Sequence, residues 1–194
     1  MNAAAIILAG GRGSRLGGIH KPGLELGGAT LLARCIAAAR LGECAPIVAV
    51  GPVMEAEGVD VWVREDPPLG GPAAGIAAGV ECLGPDAPEW VVVLAADLVR
   101  PELVVAALAE AAPGTDGAVL IDPDGQEQWL AARYRLSALR EAIRNGAAPS
   151  LDGVSIRRLV GELALARVPA PATTTADIDT WEDLEHARDQ SPRT

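Results

Sequence analysis

Seven consecutive apolar residues, Ala3 to Ala9 (AAAIILA), run straight into a pair of glycines. A run without polar alternation fits a strand buried on both faces of a parallel sheet. The same pattern recurs most strongly at Glu89–Asp97 (EWVVVLAAD) and in shorter form at Pro46–Gly51 and Val59–Val63. Between these runs, apolar residues at helical spacing predict helices over Ala29–Gly42, Gly71–Gly84 and Arg100–Ala112. The first is closed by a glycine, and the second opens on Gly-Pro, which suits a helix first turn despite its internal glycines. Further on, Asp116–Asp122 and Gln128–Arg135 read as strands, Leu136–Gly146 as a helix stopped by glycine, Ser155–Gly161 as a weaker helix and Leu163–Val168 as a strand. A threonine-rich linker leads into a last helix, Thr180–Arg188, where Thr180 is a good N-cap with Asp183 at N3. Strands alternating with helices imply a mostly parallel sheet covered on both sides.

Composition narrows this picture. A chain of 194 residues supports one sizeable core, so residues 1–189 are expected to form a single domain, with 190–194 a disordered tail. Hydrophobic residues make up 49% with no Phe, so the core is aliphatic. The net charge of −10 and the absence of a basic run exclude a general nucleic-acid binder, which needs Lys and Arg clustered over a broad face. Cys35, Cys44 and Cys82 lack any CxxC spacing and read as buried spectators rather than as a disulfide framework or zinc site. With only His20 and His186 present, no histidine-based metal cluster can be built. The apolar start has no charged segment before it and ends in glycines, and no stretch reaches the roughly 20 apolar residues of a membrane helix. The expectation is a cytoplasmic protein without a membrane partner.

Against an acidic background, the segment from Met1 to Leu24 contains no acidic residue, and its loop GGRGSRLGG follows the first strand directly. Such a loop is either an exposed turn or a place where backbone N–H groups approach phosphate, as at helix N-termini and amide nests. The dinucleotide fingerprint G-x-G-x-x-G fails, because Leu16 holds the third glycine position and Gly51, not an acid, ends the second strand. A Walker A loop fails because Lys21 lies between His20 and Pro22, and a nucleophile elbow fails because Ser14 stands in Gly13-Ser14-Arg15.

Backbone amides around Gly10 to Gly13, with Arg12, Arg15 and Lys21, can supply positive potential along a triphosphate. Arg12 reads equally as a solvated side chain, whereas Lys21 is held by the proline that follows. Asp97 ends the strongest buried strand, at the edge where open α/β sheets bind ligands. A carboxylate there suits Mg²⁺, held by one or two carboxylates plus substrate phosphates, the alternative being a helix N-cap for the segment at Pro101. Asp66 reads as a solvated loop acid, and Asp177 and Asp179 as residues stiffening the approach to the last helix.

The motifs LAGGRGSRLGGIHKPGLELGG, GGPAAGI, VVVLAAD and DIDTWEDL, in this order, resemble the molybdenum cofactor guanylyltransferases within the wider nucleotidyltransferase superfamily. The match runs through nearly the whole chain. The resemblance implies a Rossmann-like three-layer α/β/α sandwich with a mostly parallel mixed sheet, of the nucleotide-diphospho-sugar transferase type. It implies transfer of GMP from GTP to a molybdopterin-type acceptor with release of pyrophosphate, Mg²⁺ as cofactor with Mn²⁺ as an alternative, and a molybdoenzyme or delivery chaperone as transient partner. It places Lys21, Asp97 and Arg15 in catalysis, with Asp97 on the metal and Asp179 beside it. Nucleotide binding falls on Leu8, Ala9, Gly10, Gly11, Arg12, Gly13, Lys21, Gly51, Asp66, Gly71, Gly75 and Asp97. In the related cytidylyltransferases the first motif resembles LAAG, so the resemblance ties Gly10 to a preference for GTP over CTP. GQEQWLAARYR resembles the acceptor-side strand, with Trp129 where many members carry proline, and His20 departs from the acidic or amide residue common before the lysine. Two other readings stay open on the residues: another small nucleotidyltransferase using CTP or a different phosphorylated acceptor, and a silent nucleotide-binding regulatory or chaperone protein.

Overall fold

The computed structural model describes residues 2–11, 18–146 and 150–190, and among these nine strands and seven α-helices follow one another along the chain. Strand β1 (Ala3–Leu8) is an interior strand, third in order, of a seven-stranded sheet. It is flanked by β4 (Cys44–Val50) and β6 (Trp90–Ala95), both parallel to it, and β5 (Val61–Val63) extends the sheet beyond β4. On the other side, β8 (Glu127–Arg135) pairs antiparallel with both β6 and β7 (Gly117–Ile121), and β9 (Leu165–Pro169) closes the edge parallel to β7. The spatial order is therefore β5-β4-β1-β6-β8-β7-β9, with β8 running against the other six.

The uninterrupted apolar runs are explained by the two cores. Along β1, Ala3, Ala5 and Ile7 face a layer formed by helices α1 (Leu31–Leu41) and α3 (Pro101–Glu110), while Ala4 and Ile6 face α2 (Pro72–Glu81), α4 (Leu136–Gly146) and α5 (Ile156–Val160). Because both faces are covered, no position on β1 is left for a polar side chain. The result is a three-layer α/β/α sandwich around a mixed sheet.

The internal glycines of α2 have a packing reason. A Cβ at Gly79 would lie 2.8 Å from Ile6 Cγ2, so only glycine lets the helix approach β1 this closely.

Three features differ from the pattern of the sequence. Glu25–Leu26 (β2) and Ala29–Thr30 (β3) pair as a small hairpin, so the helix predicted from Ala29 starts at Leu31, with the Thr30 side chain capping Ala33 N. The threonine-rich linker contains a short helix, α6 (Ala172–Thr175). Cys35 and Cys44 are buried as expected, but Cys82 is exposed, because it caps the C-terminal end of α2 on the solvent side. The last helix, α7 (Trp181–Gln190), begins with the expected capping box: Thr180 Oγ1 accepts from Asp183 N, and Asp183 Oδ2 accepts from Thr180 N. Among the described residues no helix is long and apolar enough to cross a membrane.

Candidate functional site

Strands β1, β4 and β6 end at one edge of the sheet, and a cavity of about 680 Å³ opens there, a size suited to a small organic ligand. Leu8, Gly10 and Gly11 enter its wall from β1 and the residues after it, Val50 from β4, and Ala95, Ala96 and Asp97 from β6 and its exit. Gly71, Pro72 and Gly75 contribute the N-terminal end of α2.

Lys21 reaches the cavity through a short 3₁₀ turn, Lys21–Gly23, anchored by the buried Pro22. His20 Nε2 donates to the Ala9 carbonyl at 3.0 Å and ties this turn to the end of β1, which makes its role structural. Lys21 Nζ donates to Asp97 Oδ2 at 3.2 Å and to Asp179 Oδ1 at 2.5 Å. Burial alone would lower the Lys21 pKa, but the hydrogen bonds and charges of Asp179 and Asp97 outweigh it and leave the ammonium more basic than usual.

The two acidic segments are joined by the backbone. Leu98 and Asp177 form an isolated antiparallel bridge, Ile178 N donates to Asp97 O, and Val99 N donates to Ala176 O. This zipper brings Asp97, Asp177 and Asp179 together, with one carboxylate oxygen from each lying within 4.8 Å of the others. Asp183 Oδ2 also accepts from Asp179 N, so the cap of α7 fixes the backbone of the third acid. Asp177 opens onto the cavity, yet desolvation of its carboxyl by the surrounding wall and then the charges of Asp97 and Asp179 push its pKa up to about 6. Three clustered carboxylate oxygens are a hard donor set and fit a divalent cation such as Mg²⁺. Asp97 does not cap a helix, since Arg100 is the N-cap residue of α3.

The wall continues onto β8, the antiparallel neighbour of β6. Its pairing with β7 jumps from Val119↔Ala132 to Leu120↔Gln128, so three residues, Trp129, Leu130 and Ala131, bulge out of that ladder. All three lie on the cavity wall with Glu127, Gln128, Ile156 and Thr175. Tyr134, buried in the core, donates its hydroxyl to the Trp129 carbonyl at 2.8 Å and braces the bulge.

Of the residues expected at the site, Leu8, Gly10, Gly11, Lys21, Gly71, Gly75, Asp97 and Asp179 line the cavity. Arg12, Gly13 and Arg15 lie outside the described residues. Ala9 and Gly51 stand behind the wall: Ala9 N donates to Val50 O, and a Cβ at Gly51 would sit 2.7 Å from the Ala9 carbonyl carbon. Gly51 thus serves the close approach of two backbones. Asp66 is exposed and its side chain is not on the wall; the acid facing the cavity from that segment is Glu65, only 9% exposed. Glu65 is the acid that sequence reading did not name, whereas Asp177 stood there with Asp179 as either a loop-stiffening residue or, by resemblance, one facing the acceptor or a second metal position. The DxD spacing of Asp177 and Asp179 is the signal for Asp177, and one residue of register past β5 separates Glu65 from Asp66.

The description "MobA-like NTP transferase domain" matches residues 5–166. The molybdenum cofactor guanylyltransferase of Rhodobacter capsulatus is 33% identical over 98% of this chain and 97% of its own. Among solved structures, the 2-C-methyl-D-erythritol 4-phosphate cytidylyltransferase of Thermus thermophilus superposes with a TM-score of 0.68 at 22% identity, covering 97% of this chain and 98% of its own. The molybdopterin-guanine dinucleotide biosynthesis protein A of Archaeoglobus fulgidus does so with a TM-score of 0.62 at 23% identity, covering 96% and 97%. These neighbours have the nucleotide-diphospho-sugar transferase fold. With its cavity at the parallel strand ends, its lysine between two aspartates and this family match, the chain belongs to the MobA-like NTP transferases and is a nucleotidyltransferase.

Proposed function

We propose that the protein transfers GMP from GTP to a molybdopterin-type acceptor and releases pyrophosphate. The acceptor's phosphate oxygen attacks the α-phosphorus, the bond from that phosphorus to the β-phosphate bridging oxygen breaks, and pyrophosphate carries away the electron pair. The observation that carries this reading is the convergence of Lys21, Asp97 and Asp179 on one cavity wall that runs from the tips of β1 and β4 across β6 to the β8 bulge, which supports a nucleotide and a second substrate meeting at these side chains. The identity to the Rhodobacter capsulatus guanylyltransferase over the whole length supports guanine and molybdopterin as the two partners.

Among the described wall residues, Lys21 is the one cation against Glu65, Asp97, Asp177, Asp179 and Glu127. A triphosphate would be repelled by this wall unless a divalent cation came with it. Asp97 and Asp179, with Asp177 adjacent, would hold Mg²⁺, or Mn²⁺ in its place, which would supply charge neutralisation for the phosphates. Lys21 is freed from its carboxylates to meet the phosphates, and Gly10 and Gly11 let the backbone lie against the nucleotide. Arg12, Gly13 and Arg15 complete the phosphate loop. Catalysis therefore rests on Lys21, Asp97 and Arg15. Residues 1–189 act as one domain, in the cytoplasm, with a molybdoenzyme or delivery chaperone receiving the product.

The test is pyrophosphate release with GTP, CTP, ATP and UTP against molybdopterin, a methylerythritol phosphate and sugar phosphates as acceptors. Turnover only with GTP and molybdopterin is expected. Preference for CTP or for another acceptor would replace this reading with a different small nucleotidyltransferase, and binding without turnover would leave a nucleotide-binding regulator.

A further inference from the structure

We infer that Glu65 is the specificity residue that reads the Watson–Crick edge of the purine, accepting hydrogen bonds from the guanine N1–H and N2 amino group. The inference rests on the GTP reading above.

Glu65 follows β5, and its carboxylate lies on the cavity wall beside the end of β1: a Cβ built on Gly10 would lie 3.9 Å from Glu65 Oε1. Gly10 and Val50, on the tips of neighbouring strands, line the same corner. Glu65 is only 9% exposed, but its unpaired Oε2 is not among the buried unpaired atoms, so this oxygen remains reachable on the cavity wall. The protein supplies one donor to the carboxylate, Leu69 N, at 3.0 Å from Oε1. Among the described residues no cation pairs with Glu65, and none donates to Oε2. A carboxylate has about four acceptor sites, so the group keeps capacity for a ligand that brings donors and no acceptor.

The segment behind it is shaped to hold that orientation. Leu69 carries a φ of +68°, a backbone conformation rare for leucine, and it is this residue's N–H that binds Glu65. Gly153 N donates to Gly70 O and ties the segment to the loop before α5. Strain held in place by surrounding bonds is typical of ligand clamps. Leu69 and Leu8 give the same region apolar walls for the faces of a base.

The chemistry selects among bases. Guanine presents two adjacent donors, N1–H and the N2 amino group, which pair with two carboxylate lone pairs. Cytosine presents its N4 amino group next to the N3 lone pair, and adenine its N6 amino group next to the N1 lone pair, so each would set an acceptor against the carboxylate. A site built around acceptors rejects a ligand that leaves them unmet or opposed. Asp66, one residue on, is exposed and off the wall, so it does not compete for this role.

The experiment is calorimetric titration of GTP, ITP and CTP into the wild type, Glu65→Gln and Asp66→Asn, with thermal melting of each variant. ITP carries N1–H but lacks the N2 amino group. Glutamine can keep its carbonyl on Leu69 N while turning an amino group towards the base, so the loop is retained and the edge pattern is broken. The expected result is that Glu65→Gln weakens GTP by about tenfold or more, weakens ITP less and leaves CTP unchanged, closing the gap between GTP and ITP. Equal losses for all three nucleotides, an unchanged GTP-to-ITP ratio, or loss of the preference in Asp66→Asn while Glu65→Gln keeps it, would each overturn the assignment. A wild type that prefers CTP overturns the guanylyltransferase reading itself, whereas a wild type that prefers GTP with an indifferent Glu65→Gln overturns only this inference.

Discussion

Lys21 Nζ stands between two carboxylates that reach it from the middle of the chain and from near its C-terminal end, Asp97 at 3.2 Å and Asp179 at 2.5 Å. In this resting arrangement the lysine ammonium partly neutralises the acidic cluster that a divalent cation would need.

Asp97→Asn removes one anionic ligand with almost no change of shape. Turnover supported by Mg²⁺ is expected to fall by on the order of 10²–10³, while the melting temperature stays within a few degrees of the wild type. Titrating Mg²⁺ in the assay checks this, since near-normal activity at ordinary Mg²⁺ would contradict metal binding by Asp97.

Lys21→Ala is expected to lower kcat by on the order of 10² or more, because a lysine fixed beside the phosphates acts on charge that grows in the transition state. The drop should exceed that of Arg12→Ala, and steady-state rates of the two variants decide it.

Gly10 and Gly51 are predicted to separate fold from specificity. A Cβ at Gly10 has its nearest neighbours at 3.9 Å, so Gly10→Ala should fold normally and weaken GTP more than CTP. At Gly51 the φ of +146° and the 2.7 Å approach to the Ala9 carbonyl carbon leave no room, so Gly51→Ala should lose roughly 1–3 kcal/mol of stability. Melting curves and nucleotide competition on both variants test the contrast.

Asp60 predicts an acid-sensitive contribution to stability. Its carboxylate accepts from Ile47 N and pairs with Arg40 through both oxygens. The Ile47 backbone donor and then Arg40 hold its pKa below the ordinary 3.8, although burial works the other way. A depressed folded-state pKa stabilises the protein above the unfolded value and loses that contribution as the pH falls through the folded value. Asp60→Asn should therefore be less stable than the wild type at neutral pH, and the difference should shrink from about pH 5 downwards. Urea unfolding of both proteins across this range is the measurement.

Much of the fold could be read from the chain. The apolar runs of β1 and β6 and the glycine stops gave the order of elements, because a strand covered on both faces has no room for polar residues. Asp97 was legible for a related reason, as a charge at the end of an apolar strand where burial has to be compensated, and Lys21 was marked by the proline that follows it. The acids of the last segment were harder. Asp177 reaches the site through a single bridge to Leu98, and one backbone pair between residues so far apart leaves no periodic trace. Glu65 was missed in favour of Asp66 because only the register at the exit of β5 decides which acid turns inward. The hairpin of β2 and β3 is too short for alternation to reveal it.

The β8 bulge separates what the enzyme must keep from what it can change. The strand tips at Leu8, Val50 and Ala95 are locked in register with one another, so an inserted residue there would shift every pair behind it. Trp129, Leu130 and Ala131 stand outside the β7–β8 pairing, and Ala132, Arg133 and Tyr134 resume it without regard to how many residues precede them. Ala131 still pairs with Leu94 of β6, but Trp129 and Leu130 are in neither ladder, so substitutions or a change of length there can reshape this part of the cavity wall while the sheet stays paired. If the proposed function holds, a different acceptor could be accommodated by changes at Trp129 and Leu130 that leave the tips of β1, β4 and β6 as they are.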